Sequence, residues 1–297
     1  MLAVLEAPLP ANRYFPVDLV PLASHPAILR LGEPVQRQVR ARHLLRYLHF
    51  TRALEIGTVN RVVEEMCFPN RSMGLWERLP AETQQHVANE AYSIYREEAE
   101  HALEAHKLLG DIEAQSGVRW DRRERPTRLN LLNQRIAAEV DPQRGFLLLF
   151  GFVCVSETLV TQTLCRLPTD PKLLPSVRKF AADHARDEAR HARFFSALFA
   201  QVWQVLNDSE REFLGRELVG FLRMFGQLDS ESIAAELDEY GFSRTERDTL
   251  VQDLGVVSSG RLRQEAARAL RMFQEAGVFL NPSLRADFVA AGLLDPS

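Results

Sequence analysis

Two long stretches of this chain place a carboxylate and an imidazole three residues apart in the middle of an apolar stripe, and few folds can accept that. The stretches read Glu97-Glu98-Ala99-Glu100-His101 and Asp187-Glu188-Ala189-Arg190-His191. Positions three apart share one face of an α-helix. Around the first motif that face reads Val87, Ala91, Ile94, Glu98, His101, Ala105, Leu108, Ile112. Around the second it reads Val177, Ala181, His184, Glu188, His191, Phe195, Leu198, Val202. This spacing is the seam by which a helix packs into a bundle core. A solvated charged face would lie opposite the apolar stripe, whereas these residues lie in line with it. A carboxylate buried there has to be paired or to bind a metal. One Glu-x-x-His is weak evidence, because Glu and His are common on exposed helices. Two on two long helices form the core of a di-iron carboxylate ligand set, in which each of two further helices adds a Glu.

The chain holds two more helices of suitable length. Asp141-Pro142 is a start signal, an N-cap followed by proline in the first turn. The helix it opens reaches about Arg166, with the seam Phe146, Phe150, Val153, Glu157, Val160, Leu164. Glu157 is the only charged residue between Arg144 and Arg166, which makes it a candidate third carboxylate. The fourth must come from a helix running from Glu33 to about Cys67 and ended by Phe68-Pro69-Asn70; the candidates are Glu55, Glu64 and Glu65. Helices joined by a short loop run antiparallel, so ligands at one level lie at similar distances from the turn. Glu98 lies roughly 25 Å from the start of its helix and Glu55 roughly 18 Å from the end of its own, while Glu64 and Glu65 lie within about one turn of that end. Glu55 also falls on the seam Leu44, Leu48, Thr51, Glu55, Val59, Val62, and is favoured over Glu64 and Glu65. His184 stands four residues before Glu188, so His184, Glu188 and His191 line one face over two turns. As a ligand it makes one metal richer in nitrogen; as a core residue it needs only a hydrogen-bond partner. Carboxylates and imidazoles with open positions favour iron or manganese over zinc.

Metal-bound histidines usually donate their other ring N–H to a carboxylate. Glu97 and Asp187 each precede a ligand carboxylate and point about 100° around the helix, toward a neighbour. The pseudo-symmetry of the motifs predicts a crossed pairing, Asp187 to His101 and Glu97 to His191.

The rest of the 297-residue chain adds helices. The first 33 residues, rich in proline (Pro8, Pro10, Pro16, Pro21, Pro26), read as an extended arm on the surface. Residues 34–297 read as one all-α domain: a bundle over about 34–206 and a helical extension over about 208–297. Expected helices run from Ala81 to a cap at Gly110, over Leu129–Val140, from Pro175 to about Leu206, and from Asp208-Ser209 to Gly226. Ser243 to Glu246 is a capping box for a short helix, and Asn281-Pro282 opens a last one. No stretch alternates like a strand. A net charge of −4 argues against non-specific nucleic-acid binding. No run reaches the ~18–20 uninterrupted apolar residues of a membrane span, the N-terminus lacks the basic region of a signal peptide, and Cys67, Cys154 and Cys165 have neither disulfide nor zinc-knuckle spacing. The expectation is a cytoplasmic protein with reduced thiols.

With these residues assembled, the chain resembles the p-aminobenzoate N-oxygenase family of non-haem di-iron enzymes. Glu98-x-x-His101, Ser156-Glu157-Thr158 and His184-x-x-Asp187-Glu188-x-x-His191 carry the resemblance, which spans about Phe15 to Phe279. The His-x-x-x-Glu-x-x-His element is its most specific part, since other di-iron bundles share only the two Glu-x-x-His motifs. The resemblance implies a ferritin-like four-helix bundle with additional C-terminal helices, and two iron ions (manganese as the alternative metal) held by Glu55, Glu98, His101, Glu157, His184, Glu188 and His191. It also implies O2-dependent oxidation of an amine nitrogen to hydroxylamine, nitroso or nitro. The amine is a small molecule, free or tethered to a carrier protein, and the enzyme is a homodimer. No flavin or nicotinamide fingerprint is present, so electrons come from an external donor. The rival expectations are a di-iron hydroxylase or desaturase acting at carbon, and a ferritin-like iron store or manganese catalase.

Overall fold

The stripes in the sequence become four long helices. The computed structural model describes residues 13–68, 74–121 and 126–296, without the side chains of 160–163 and 259. The first dozen residues of the arm, the Pro69-Asn70 stop, the Val160 position of the third seam and part of the Arg-rich stretch before α3 lie outside the described residues.

Helix α1 is one rod, α-helical over Glu33–Leu54 and Asn60–Cys67 with a π turn, Glu55–Val59, between them. Helix α2 spans Ala81–Ser116 and ends on Gly117, whose φ of 72° is the left-handed conformation of a glycine C-cap. Gly110, the expected cap, lies inside the helix. Ile112 continues beyond it the face that Ala105 and Leu108 bury before it, and that burial outweighs the ~1 kcal/mol cost of an internal glycine. Helix α3, Thr127–Ala137, precedes α4, Pro142–Arg166, whose N-cap Asp141 accepts from the Gln143 N–H. Helix α5 spans Pro175–Val205.

The C-terminal extension comprises α6 (Asp208–Gly226), α7 (Ser230–Glu239), α8 (Arg244–Glu265), α9 (Ala267–Ala276) and α10 (Pro282–Ala290). The α6 cap is Asn207, which forms a capping box with Glu210, one residue before the expected start. Helix α8 runs well beyond the short helix expected behind its Ser243–Glu246 capping box. No strand occurs among the described residues. The described part of the arm is not extended: Val17–Leu19, Pro21–Ser24 and Pro26–Leu29 form short helical turns. Each proline stands at the start of a turn, where its fixed φ suits a helix, and Tyr14, Phe15, Val20, Leu22, Ala23 and Ile28 are buried by the bundle.

Two apolar cores give the topology. One contains the C-terminal half of α1, the N-terminal halves of α2 and α4 and the C-terminal half of α5, with α6, α9 and α10 packed around it. The other contains the N-terminal half of α1, the C-terminal half of α2, the end of α4 and the start of α5, closed by the arm, α7 and α8. Helices α1 and α2 are therefore antiparallel, as are α4 and α5, while α2 and α4 point the same way. The α2–α4 connection must cross the length of the bundle, as in ferritin-like folds, and α3 lies within it against α4. By length and mean hydropathy α4 could span a membrane, yet 93% of its most apolar window is buried inside the protein. It is apolar all round because α3, α5, α6 and α9 surround it.

Candidate metal centre

Between the two cores lies a layer of ionisable side chains, one contribution from each long helix. Glu55 comes from α1, Glu98 and His101 from α2, Glu157 from α4, and His184, Glu188 and His191 from α5; all are buried. Their donor atoms form two interlocking groups. Glu55, His101, His184 and Glu188 make one and Glu98, Glu157, Glu188 and His191 the other, with all ligand atoms of a group within 4.8 Å of one another. Glu188 belongs to both. His184 Nε2 lies 3.0 Å from Glu55 Oε1 and 3.0 Å from Glu188 Oε1. His191 Nδ1 lies 2.8 Å from Glu98 Oε1, and His101 Nδ1 lies 3.7 Å from Glu188 Oε1. All seven residues singled out in the sequence meet here. From α1 the groups take Glu55; Glu64 and Glu65, nine and ten residues further on, are only half-buried and belong to neither.

The π turn begins at Glu55. A π turn inserts one extra residue into a helix and re-aims the side chains at the insertion. It lets Thr51, Glu55 and Val59, two successive steps of four, all face inward. Those two steps in a seam that otherwise alternates three and four were its signal in the sequence.

Burial and mutual charge decide the electrostatics. Burial pulls the His184 imidazole down, but the Glu55 and Glu188 carboxylates outweigh it and push it up to about 10. Burial also opposes charge on His191, and contacts with Glu188 and Glu98 push it up to about 12. Glu55 moves the other way, burial outweighing His184 and raising it to about 7. Burial, with Glu188 and Glu98 nearby, holds Glu157 well above the carboxylate range. Burial opposes ionisation of Glu188 too, yet His184 and His191 hold it well below that range. The layer demands positive charge.

The donor chemistry fits divalent metal. Glu55 Oε2, Glu98 Oε2, Glu188 Oε2 and His101 Nδ1 are buried without a hydrogen-bond partner among the described residues. Such atoms are costly unless something binds them. Four carboxylates carry the charge that two divalent ions would neutralise, and Glu188 is common to both groups.

The outer contacts are crossed between α2 and α5. Asp187 Oδ2 lies 3.3 Å from His101 Nε2, and Glu97 Oε2 lies 3.0 Å from His191 Nε2. Arg190, which no helical seam marks as an inward residue, also pairs with Glu97. In α4, Ser156 and Thr158 flank Glu157 and donate to the Val153 and Val155 carbonyls of their own helix, so neither hydroxyl is left unsatisfied.

Comparison with known proteins places the sequence in a family. The family described as p-aminobenzoate N-oxygenase AurF matches residues 5–277. A 4-aminobenzoate N-oxygenase from Streptomyces thioluteus is 24% identical over 275 residues, covering 89% of this chain and 76% of that protein.

Proposed function

The chain belongs to the p-aminobenzoate N-oxygenase family, and we propose that it is a non-haem di-iron oxygenase that uses O2 to oxidise the nitrogen of a small-molecule amine. The observation that carries this reading is the pair of buried donor groups sharing Glu188, with a third imidazole, His184, on one side. Two ferrous ions held by Glu55, Glu98, His101, Glu157, Glu188, His184 and His191 would supply the electrons and open positions for O2 activation.

The protein's own residues do the rest. Glu188 belongs to both donor groups and Glu157 lies in one of them beside it, so these carboxylates would help hold both ions and neutralise their charge. Asp187 and Glu97 hold the outer nitrogens of His101 and His191, which fixes each ring with Nδ1 turned inward. The flanking apolar layers, with Leu54, Ile94, Val153 and Phe195 on one side and Leu48, Ala105 and Ala181 on the other, keep bulk water from a reactive site. The amine is an arylamine, free or carrier-tethered, and the electrons come from an external donor. We expect the working form to be a homodimer.

Mass spectrometry of products from reduced, iron-loaded protein given a panel of amines under ¹⁸O2 tests this. Incorporation of ¹⁸O at nitrogen as hydroxylamine, nitroso or nitro is expected. Oxygen inserted only at carbon, or rapid peroxide loss without a reductant, would replace the reading with a carbon hydroxylase or a catalase.

A further inference from the structure

The two motifs are pseudo-equivalent except at the residue before each histidine, which is Glu100 in α2 and Arg190 in α5. The structure makes this difference physical. Arg190 Nη2 pairs with Glu97 Oε2 and lies 3.4 Å from His191 Nε2, and its Nη1 lies 3.6 Å from Glu90 Oε2. Arg96 Nη2 adds a second cation 3.3 Å from Glu97 Oε1. Glu97 is mostly buried, its side chain 12% exposed. Behind His101 the situation is reversed. Asp187 is 36% exposed and, among the described residues, its side chain contacts the His101 ring alone. Glu100, in the place equivalent to Arg190, is exposed and faces Arg96 at 3.9 Å.

We propose that Arg190 is a positioning residue that clamps Glu97 against His191, so that the metal position of Glu98, Glu157 and His191 is held more firmly than that of Glu55, His101 and His184. A guanidinium suits this task, because its planar fork engages Glu90 and Glu97 from one rigid group. A clamped carboxylate keeps one orientation, and the imidazole it receives from keeps one tautomer and one ring angle. Among the described residues, Asp187 has no such clamp. The two positions should therefore fill in order, the His191 side first. This rests on the metal-centre reading above.

Anaerobic titration of the full chain with ferrous ion, followed by Mössbauer spectroscopy of ⁵⁷Fe-loaded samples, tests it. Wild type should take up two ions in resolvable steps and show two ferrous doublets. Arg190→Ala should weaken the tighter step by about 10–100-fold, shift one doublet and leave the other in place. Arg190→Lys, which keeps the charge but not the fork, should recover part of the loss. Glu97→Gln should reproduce the Arg190→Ala effect, and the double variant should be no worse than either single one. Glu100→Gln should leave both steps and both doublets unchanged. Arg190 is partly exposed, so its variants should keep the wild-type helical circular dichroism. Two equal steps in wild type, or an Arg190→Ala protein with unchanged affinities and doublets, would overturn the clamp and leave the metal centre standing. Wild type binding fewer than two ions would overturn both.

Discussion

His184 is the residue whose role most depends on its neighbours. Its Nε2 touches carboxylates from α1 and from its own helix, so it ties Glu55 to Glu188. A core histidine needs only one partner, and this one faces two carboxylates at equal distance. His184→Ala is expected to keep the helical fold and to abolish or greatly slow nitrogen oxidation; full multi-turnover activity with unchanged metal spectra would reduce it to a packing residue. Asp187 makes a milder case. Asp187→Asn keeps the shape but removes the charge behind His101, and a loss of about 10–100-fold in iron affinity or activity is expected. Unaltered affinity by titration would mean that the contact does little.

At the scale of elements, two glycines on site-bearing helices give opposite predictions. Gly57 lies in the π turn, exposed, and a Cβ added there would meet nothing within 4 Å. Gly57→Ala should stabilise by ~0.5–1 kcal/mol through reduced chain entropy. Gly151 sits where α4 meets α6, and an added Cβ would lie 2.6 Å from Leu214 Cδ1 and 3.3 Å from the Phe221 ring. Both neighbours are fully buried, so Gly151→Ala should destabilise by ~1–3 kcal/mol. Denaturant midpoints check both signs. Glu210 links three elements: it receives both Arg78 guanidinium nitrogens at 2.8 Å, Gln143 Nε2 at the start of α4 at 2.7 Å, and the Asn207 N–H at 2.8 Å. The Arg78 hydrogen bonds hold its carboxyl below the ordinary 4.5. A carboxyl lowered by folding adds stability that is full above its unfolded value and is lost as pH falls through the folded one. Glu210→Gln should therefore cost ~1.5–3 kcal/mol at pH 7, and the gap to wild type should close in acid below pH 4.5. A gap independent of pH would show that charge is not what Glu210 contributes.

For the whole molecule, the consequence is a bundle whose two apolar halves meet across a layer of buried charge. Each half is stabilised by burial, while the layer between them needs neutralisation. Metal that binds only the folded chain stabilises it by mass action, about 2.7 kcal/mol per site at a hundredfold excess over its dissociation constant. Iron-loaded protein should unfold at a higher temperature than chelator-treated protein, with a midpoint that climbs with free ferrous ion. Equal midpoints in calorimetry would argue that the layer is neutralised by its own imidazoles.

The bundle was legible in the chain because helical period and ligand chemistry act locally. A carboxylate in line with Val87, Ala91 and Ile94, or with Phe195, Leu198 and Val202, can only be a buried one, whatever the rest of the fold. The seams marked which side chains face inward, the Asp141, Ser243 and Asn281 caps marked where helices begin, and the seven inward residues followed. Other features depend on what lies across from a residue. Gly110 and Gly117 look alike in sequence, and only continued burial of Ile112 makes the second one the cap. The proline-rich arm has no period of its own, and its short turns exist because the bundle offers a surface for Tyr14, Phe15 and Ile28. Arg190 looked like any exposed arginine on a long helix. Its meeting with Glu97, from a segment 93 residues away, depends on the angle at which α5 crosses α2, which packing over the full length of both helices decides.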